Sequence, residues 1–186
     1  ITIPIKEINS VRRECCESLI NQRQMREKGR ELDFEIEHIN RKNTNIILTC
    51  EVSDEEQFKA AVKNNIKRIY APNDLVGTLK DAPDDVEIIS KSADIFCEEN
   101  IKTDGVLVSS PAAIYKYQDK EIYGDFRLNV FNSQTAQHYG DLKTVTLSPE
   151  LNLHEIADLC ENTNADLEVI GYGHIPLMMM KNCPIK

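Results

Sequence analysis

No stretch of this chain approaches the roughly 18 apolar residues that a membrane-spanning helix needs, and its first residues lack the basic, apolar, small-residue order of a signal peptide. A helical membrane protein is therefore not the expectation. There is also no Gly-x-Ser-x-Gly elbow, no His-Glu-x-x-His pair, no Gly-rich phosphate loop and no obvious carboxylate dyad. Serine-hydrolase and zinc-hydrolase chemistry consequently have no support in sequence. The Gly171-Tyr-Gly173 pair lacks a third glycine, which weakens a dinucleotide reading. Cysteine is thinly spread: six residues, at 15, 16, 50, 97, 160 and 183, without the dense spacing of a small secreted scaffold. The expected setting is a reducing, cytoplasmic one.

What is present is a globular composition. A length of 186 residues with 41% hydrophobic side chains suits one domain, or one domain with an appendage, around a real core. The net charge of -9 is uneven: residues 1–44 carry nine basic and eight acidic side chains, residues 45–186 thirteen basic and twenty-three acidic. The larger segment repels a phosphate backbone and makes a poor nucleic-acid binder by itself. The chain opens on Ile1 and stops three residues after Cys183, inside what reads as a motif. The expectation is a fragment of a larger protein, inactive alone, whose partners are the other domains of its parent.

Two segments are expected, 1–44 and 45–186. In the first, Ile8, Val11, Cys15, Leu19 and Ile20 recur at roughly helical spacing among Arg, Glu and Gln, predicting one long charged helix from Lys6 to about Leu32 that docks on a neighbour. Leu32, Phe34 and Ile36 alternate with acidic residues as in a short edge strand, and residues 40–44 read as a linker.

In the second segment strands and helices alternate. Strands are expected at 46–50, 66–70, 86–89, 105–108, 126–130, 144–147 and 167–170, from their apolar and β-branched content. Ser53 with Glu56 and Asn152 with Glu155 read as capping boxes, Ser90 as the cap of a helix through Phe96 and Cys97, Ser110-Pro111 as a helix start, and Gly140 as the stop of a helix over 134–139. Such alternation predicts an α/β fold with parallel strands, a partial or degenerate (β/α) barrel preceded by the charged helix. A complete eight-unit barrel takes about 250 residues, and the second segment has 142.

In parallel barrels, functional groups gather where strands end. The sequence offers Glu51, Asn73, Ser109, Asn129, Asn132, Ser148, Glu150, Tyr172 and His174 at such places. Each could equally cap a helix or make a turn; their common location favours a site. Asn129 interrupts an apolar strand, so its amide needs partners in the sheet or in a polar cavity. Glu150, beside Pro149, is the candidate general base, metal ligand or substrate anchor, though it could instead complement the next helix. Asn129, Asn132, Tyr172 and His174 are the candidate substrate-binding residues. His38, His138 and His154 sit in polar, helical contexts and are expected to face solvent. Cys50, Cys97 and Cys160 lie among apolar neighbours as core thiols, whereas Cys183 precedes Pro184 in a loop, a setting used in iron–sulfur ligation.

The segments Ile3–Arg13, Leu128-Asn-Val-Phe-Asn-Ser133, Leu147-Ser-Pro-Glu-Leu151 and Tyr172-Gly-His-Ile-Pro-Leu-Met178, with Cys183-Pro184, together resemble the long members of the collagenase-like U32 peptidase family. The resemblance covers most of the chain. It implies that the first motif follows an inserted collagenase-associated domain and that the remainder is the second, degenerate half of a barrel-like peptidase domain. It also implies peptidase activity for the parent; some members instead assist hydroxylation of RNA bases or quinone precursors and hold an iron–sulfur cluster through four cysteines, and a non-catalytic scaffold segment supporting another domain is the remaining alternative. Cys183 matches one of those cysteines, making it the candidate metal ligand by analogy. Most of the others would lie beyond Lys186, so no cofactor is expected in this fragment itself. His174 stands where the family typically has Arg, which alters an anion contact.

Overall fold

The computed structural model of the chain describes residues 4–24, 46–79, 82–92 and 100–176. It divides into two compact units, Ile1–Ile36 and Glu37–Lys186. In the first, α1 (Ile5–Gln24) begins where the Pro4 carbonyl accepts the Glu7 and Ile8 N–H groups, with an acid in its first turn and Arg23 in its last. The remainder of the expected helix, the alternating 32–36 run and the 40–44 linker lie outside the described residues. No described helix is long and apolar enough to cross a membrane.

The second unit is a parallel α/β half-barrel. Its strands are β1 (Thr49–Glu51), β2 (Arg68–Pro72), β3 (Glu87–Lys91), β4 (Gly105–Val108), β5 (Glu121–Gly124), β6 (Thr144–Thr146) and β7 (Leu167–Glu168). They lie side by side in chain order, each parallel to its neighbours. A doubly wound sheet reverses its strand order at a switch point; none occurs here, and continuous winding in one direction is barrel topology. The sheet curls enough for side chains of β2 and β7, five strands apart, to meet: the Tyr70 hydroxyl donates to a Glu168 carboxylate oxygen at 2.9 Å.

Helices cover the outer face. Between the strands run α2 (Glu55–Lys63), α3 (Asn73–Val76), α4 (Pro111–Lys116), a 3-10 turn (Phe126–Leu128), α5 (Ser133–His138) and α6 (Leu153–Glu161). Phe58 and Ala61 of α2 pack on Val52, Ile69 and Ala71; Tyr117 beyond α4 packs on Val106, Val108 and Ile122; Ala136 and Leu159 pack on Val145 and Leu147. Each fully buried large aliphatic contributes about 1.5–3 kcal/mol, so these outer contacts hold the curved sheet.

Several local expectations shift. Thr49–Glu51 forms the first strand, while Ile46, Ile47 and Leu48 precede it and are exposed. The second and third strands start at Arg68 and Glu87 and reach Pro72 and Lys91. In place of the first capping box, Asp54 is the N-cap and accepts from Gln57 N–H at 2.8 Å, while the Gln57 side chain accepts from Ser53 N–H, one residue before the cap, at 2.8 Å. Ser90 caps no helix; it is buried inside β3, its hydroxyl bonded to Asn73. Residues 93–99, with Cys97, lie outside the described residues. Cys160 is exposed, because it falls on the solvent side of α6, and Cys50 is half-buried. Ser110 and the Asn152/Glu155 box cap α4 and α6 as expected.

The largest shift concerns the fifth strand. It is Glu121–Gly124, and the segment read as a strand is a 3-10 turn instead. Asp125 caps that turn by accepting Phe126 N–H at 2.8 Å, and Asn129 closes it at φ 60°, ψ 53°, a left-handed conformation that no strand residue adopts. Within that run Val130 alone makes a ladder-type pairing, an isolated parallel bridge to Leu147, while Leu128 packs on Val145 of β6.

Candidate active site at the strand ends

Side chains alternate across a strand, so residues two apart share a face. Tyr70, Ile89, Leu107 and Tyr123 form one buried cluster on the inner face of β2 to β5. Two residues earlier stand Arg68, Glu87, Gly105 and Glu121; two residues later stand Pro72, Lys91, Ser109 and Asp125. The inner face is thus three rows deep, as in (β/α) barrels, and the last row lies at the C-terminal end, where barrel chemistry is found.

That last row is charged. Glu51, the last residue of β1 and in register with Tyr70, reaches up to this row and accepts a bond from the Lys91 ammonium at 2.5 Å, an ion pair that passes over β2. From the end of β4, the Ser109 hydroxyl donates to Asp125 Oδ2 at 3.0 Å, while Asp125 Oδ1 takes Phe126 N–H. Arg127, on the 3-10 turn, reaches Ser109 Oγ with Nη1 at 3.4 Å and stands 3.7 Å from Asp125 Oδ2.

Asp125 is the notable acid because only 4% of it is exposed. Burial pushes its carboxyl above the usual 3.8; the Ser109 hydrogen bond and the Lys91 charge pull it down less, and Glu51 adds to the rise. Burial likewise lowers the Arg127 guanidinium, against the attraction of Glu51. Five side chains from four strand ends therefore share one electrostatic unit.

The middle and first rows form a second polar network. Parallel register sets Arg68 beside Glu87, and Arg68 Nε donates to Glu87 at 2.7 Å. The Tyr123 hydroxyl donates to the other Glu87 oxygen, Arg68 lies 5.0 Å over the Tyr123 ring, and Tyr70 meets that ring edge-on with centroids 6.1 Å apart. Gly105 makes room, since a Cβ there would stand 3.0 Å from Tyr123 Cε2.

Of the residues named from sequence, Glu51 and Ser109 join this rim. Asn73 ties β2 to the approach of β4, accepting from Ser90 Oγ and Lys102 N–H. Asn132 caps α5 by accepting Thr135 N–H at 2.8 Å, and Asn129 is the exposed turn residue described above. Glu150 is exposed in the turn after β6, its N–H directed to Ser148 Oγ. Tyr172 and His174 are exposed beyond β7, and Tyr172 helps line a cavity of about 240 Å³ with Leu147, Leu151, Ile156, Val169 and Ile170. No charged side chain lines that cavity; Ser148 and Tyr172 are its hydroxyl-bearing lining residues.

Lys91, Asp125 and Arg127 were missed because the strands carrying the first two were placed too early or not at all. The signal for β5 was available in Glu121-Ile-Tyr-Gly124, a short β-prone run ending in glycine.

A family model describing peptidase family U32 matches residues 54–186. The chain belongs to peptidase family U32. No curated protein and no solved structure matches it. The U32 model begins at the cap of α2 and runs through the rim, so Lys91, Ser109, Asp125 and Arg127 lie within it and Glu51 just before it. An iron–sulfur cluster needs several thiolates converging on one point. Among the described residues no three His, Cys, Asp or Glu side chains do so, and Cys50 and Cys160 lie on β1 and α6. Those residues do not fit a cluster; Cys183 lies outside the described residues.

Proposed function

We propose that the rim formed by Glu51, Lys91, Ser109, Asp125 and Arg127 is the peptide-handling site of a U32 peptidase, with Asp125 as its proton carrier. The single observation behind this reading is the buried, upward-shifted Asp125 carboxyl at a barrel strand end, flanked by two cations. Hydrolysis of an amide requires that water lose a proton as its oxygen bonds to the carbonyl carbon, that the resulting oxyanion be stabilised, and that the leaving nitrogen be protonated as the C–N bond breaks. Asp125 takes the proton from water and returns it to nitrogen. Lys91 and Arg127 supply positive charge for the oxyanion, and Ser109 orients the carboxylate through its 3.0 Å hydrogen bond. Burial strengthens each of these interactions.

An RNA substrate, which the family resemblance also admits, has less support: the rim pairs its two cations with two acids, and residues 45–186 are strongly acidic. The test is peptide cleavage by the full-length protein and its Asp125→Asn variant, with melting temperature as a control on folding. A loss of about 10²–10⁴-fold is expected for the variant. Cleavage at the wild-type rate by a folded Asp125→Asn protein would overturn the assignment, as would a wild type that cleaves no peptide.

A further inference from the structure

We propose that Glu51 is a positioning residue of the rim: its carboxylate anchors the Lys91 ammonium at the end of β3 and keeps it from closing onto Asp125. The inference rests on the reading of the rim as a peptide-cleaving site and adds a residue that works through another one. Glu51 lies before residue 54, outside the stretch that the U32 model matches.

The strand register explains why Lys91 needs an anchor. Lys91 ends β3 with Pro72 of β2 on one side and Leu107 of β4 on the other, and neither side chain can accept a hydrogen bond. A lysine head is a point charge on a flexible four-carbon stem, so it takes a fixed position only where a partner fixes it. Glu51, in register with Tyr70 one row below, supplies that partner by reaching across β2 to the ammonium at 2.5 Å.

The two ends of the pair are unequally covered. The Lys91 side chain is 19% exposed and that of Glu51 54%. The acid therefore keeps much of its water, while the cation is held where screening is weaker. That arrangement suits a cation that stabilises charge as it develops on a substrate.

Asp125 is the competing partner. It lies within electrostatic reach of both residues, drawn to Lys91 and repelled by Glu51, and its hydrogen bonds go to the Ser109 hydroxyl and the Phe126 N–H. A direct Lys91–Asp125 bond would lower the proton affinity of that carboxylate, as Arg68 does for Glu87, and would occupy the ammonium. Glu51 draws Lys91 the other way, towards β1.

The test uses the full-length protein carrying isotope-labelled lysine. Relaxation of the assigned Lys91 ε-carbon should show a rigid head in the wild type and a mobile one in Glu51→Gln. With a peptide substrate, Glu51→Gln should lower kcat by about 10–100-fold with KM little changed, as when a group acting in the transition state is misplaced, and Glu51→Asp should recover part of the loss. The Glu51→Gln/Lys91→Met double variant should lose no more than Lys91→Met alone, because the pair acts as one unit. A wild-type Lys91 as mobile as a surface lysine, or one unchanged by Glu51→Gln, overturns the anchoring; a double variant slower than Lys91→Met overturns action through Lys91. Either result leaves the Asp125 cleavage reading standing. A wild type that cleaves no peptide overturns that reading, and the ε-carbon then decides the anchoring alone. Because the wild-type relaxation needs no substitution, a variant that fails to fold does not blunt the test.

Discussion

Two carboxylates on the same inner face of the half-barrel have been driven in opposite directions. Glu87 in the first row and Asp125 in the last row are each joined by a hydroxyl and accompanied by an arginine. Burial raises both, yet Glu87 ends below its usual 4.5 because Tyr123 and Arg68 both hydrogen-bond it. Asp125 ends above its usual 3.8 because only neutral donors lie within hydrogen-bond distance and Glu51 adds a like charge. Residue type does not separate the structural acid from the proposed proton carrier here. The difference is whether a cation makes a short, direct bond.

The sharpest way to break the comparison is to remove the ring that unites the lower network. Tyr123 is 1% exposed, packs against Tyr70 and holds Glu87. Tyr123→Ala should cost about 3–5 kcal/mol of stability, measured by chemical denaturation. Tyr123→Phe, which keeps the ring, should cost only about 1–3 kcal/mol for the Glu87 oxygen left without its donor. Equal losses for the two variants would mean that the ring's packing contributes little and the hydroxyl almost everything.

Next in size is Gly105→Ala. The new Cβ would meet Tyr123 Cε2 at 3.0 Å and Ile89 Cγ1 at 3.2 Å, both inside the packed middle row. Overpacking of this kind costs about 1–3 kcal/mol. Peptide binding at the rim, two residues further along the strands, should be retained at temperatures where the protein stays folded. A variant as stable as wild type would show that the Tyr123 ring can give way.

Acid and base separate the two carboxylates by sign. Glu87 has a lowered pKa in the folded state, so its contribution is present above its unfolded value near 4.5 and is lost as pH falls through the folded value. Asp125 has a raised pKa, so its contribution is present below 3.8 and is lost as pH rises through the folded value. Glu87→Gln should therefore flatten the acid limb of the stability profile. Asp125→Asn should raise stability relative to wild type at neutral pH, and less so or not at all near pH 4, while removing activity. Parallel pH profiles for the two variants would erase the distinction drawn between the rows.

Much of the architecture was legible in sequence because alternating apolar runs and capping residues are local signals. Gly105–Val108 stands where its apolar run placed it, and the Asn152/Glu155 box caps α6. Three of the five rim residues, Lys91, Asp125 and Arg127, were not legible, for a local reason too. Phe126, Leu128 and Val130 alternate like a strand, yet Asp125 and Asn129 bend them into a turn, and the true strand before them is only four residues long. Lys91 reads as a surface lysine until β3 is extended by two residues and its partner Glu51 arrives from across β2. Parallel neighbours are distant in sequence, so no spacing rule could have joined these residues.

The smallest expected effect concerns Asn129, whose place in an apolar run made it a candidate for substrate binding. Its left-handed backbone at φ 60° gives a sufficient local reason for asparagine, since Asn tolerates that region better than most residues and glycine better still. Asn129→Gly should change stability by only a few tenths of a kcal/mol, relief of backbone strain offsetting the greater freedom of the unfolded chain, and should leave peptide affinity unchanged. Asn129→Ala should cost about 1–2 kcal/mol, the penalty for a Cβ residue held in the left-handed region. If Asn129→Gly instead weakened peptide binding tenfold at unchanged stability, the side-chain amide would belong to the site after all, and the rim would extend past Arg127 along the turn.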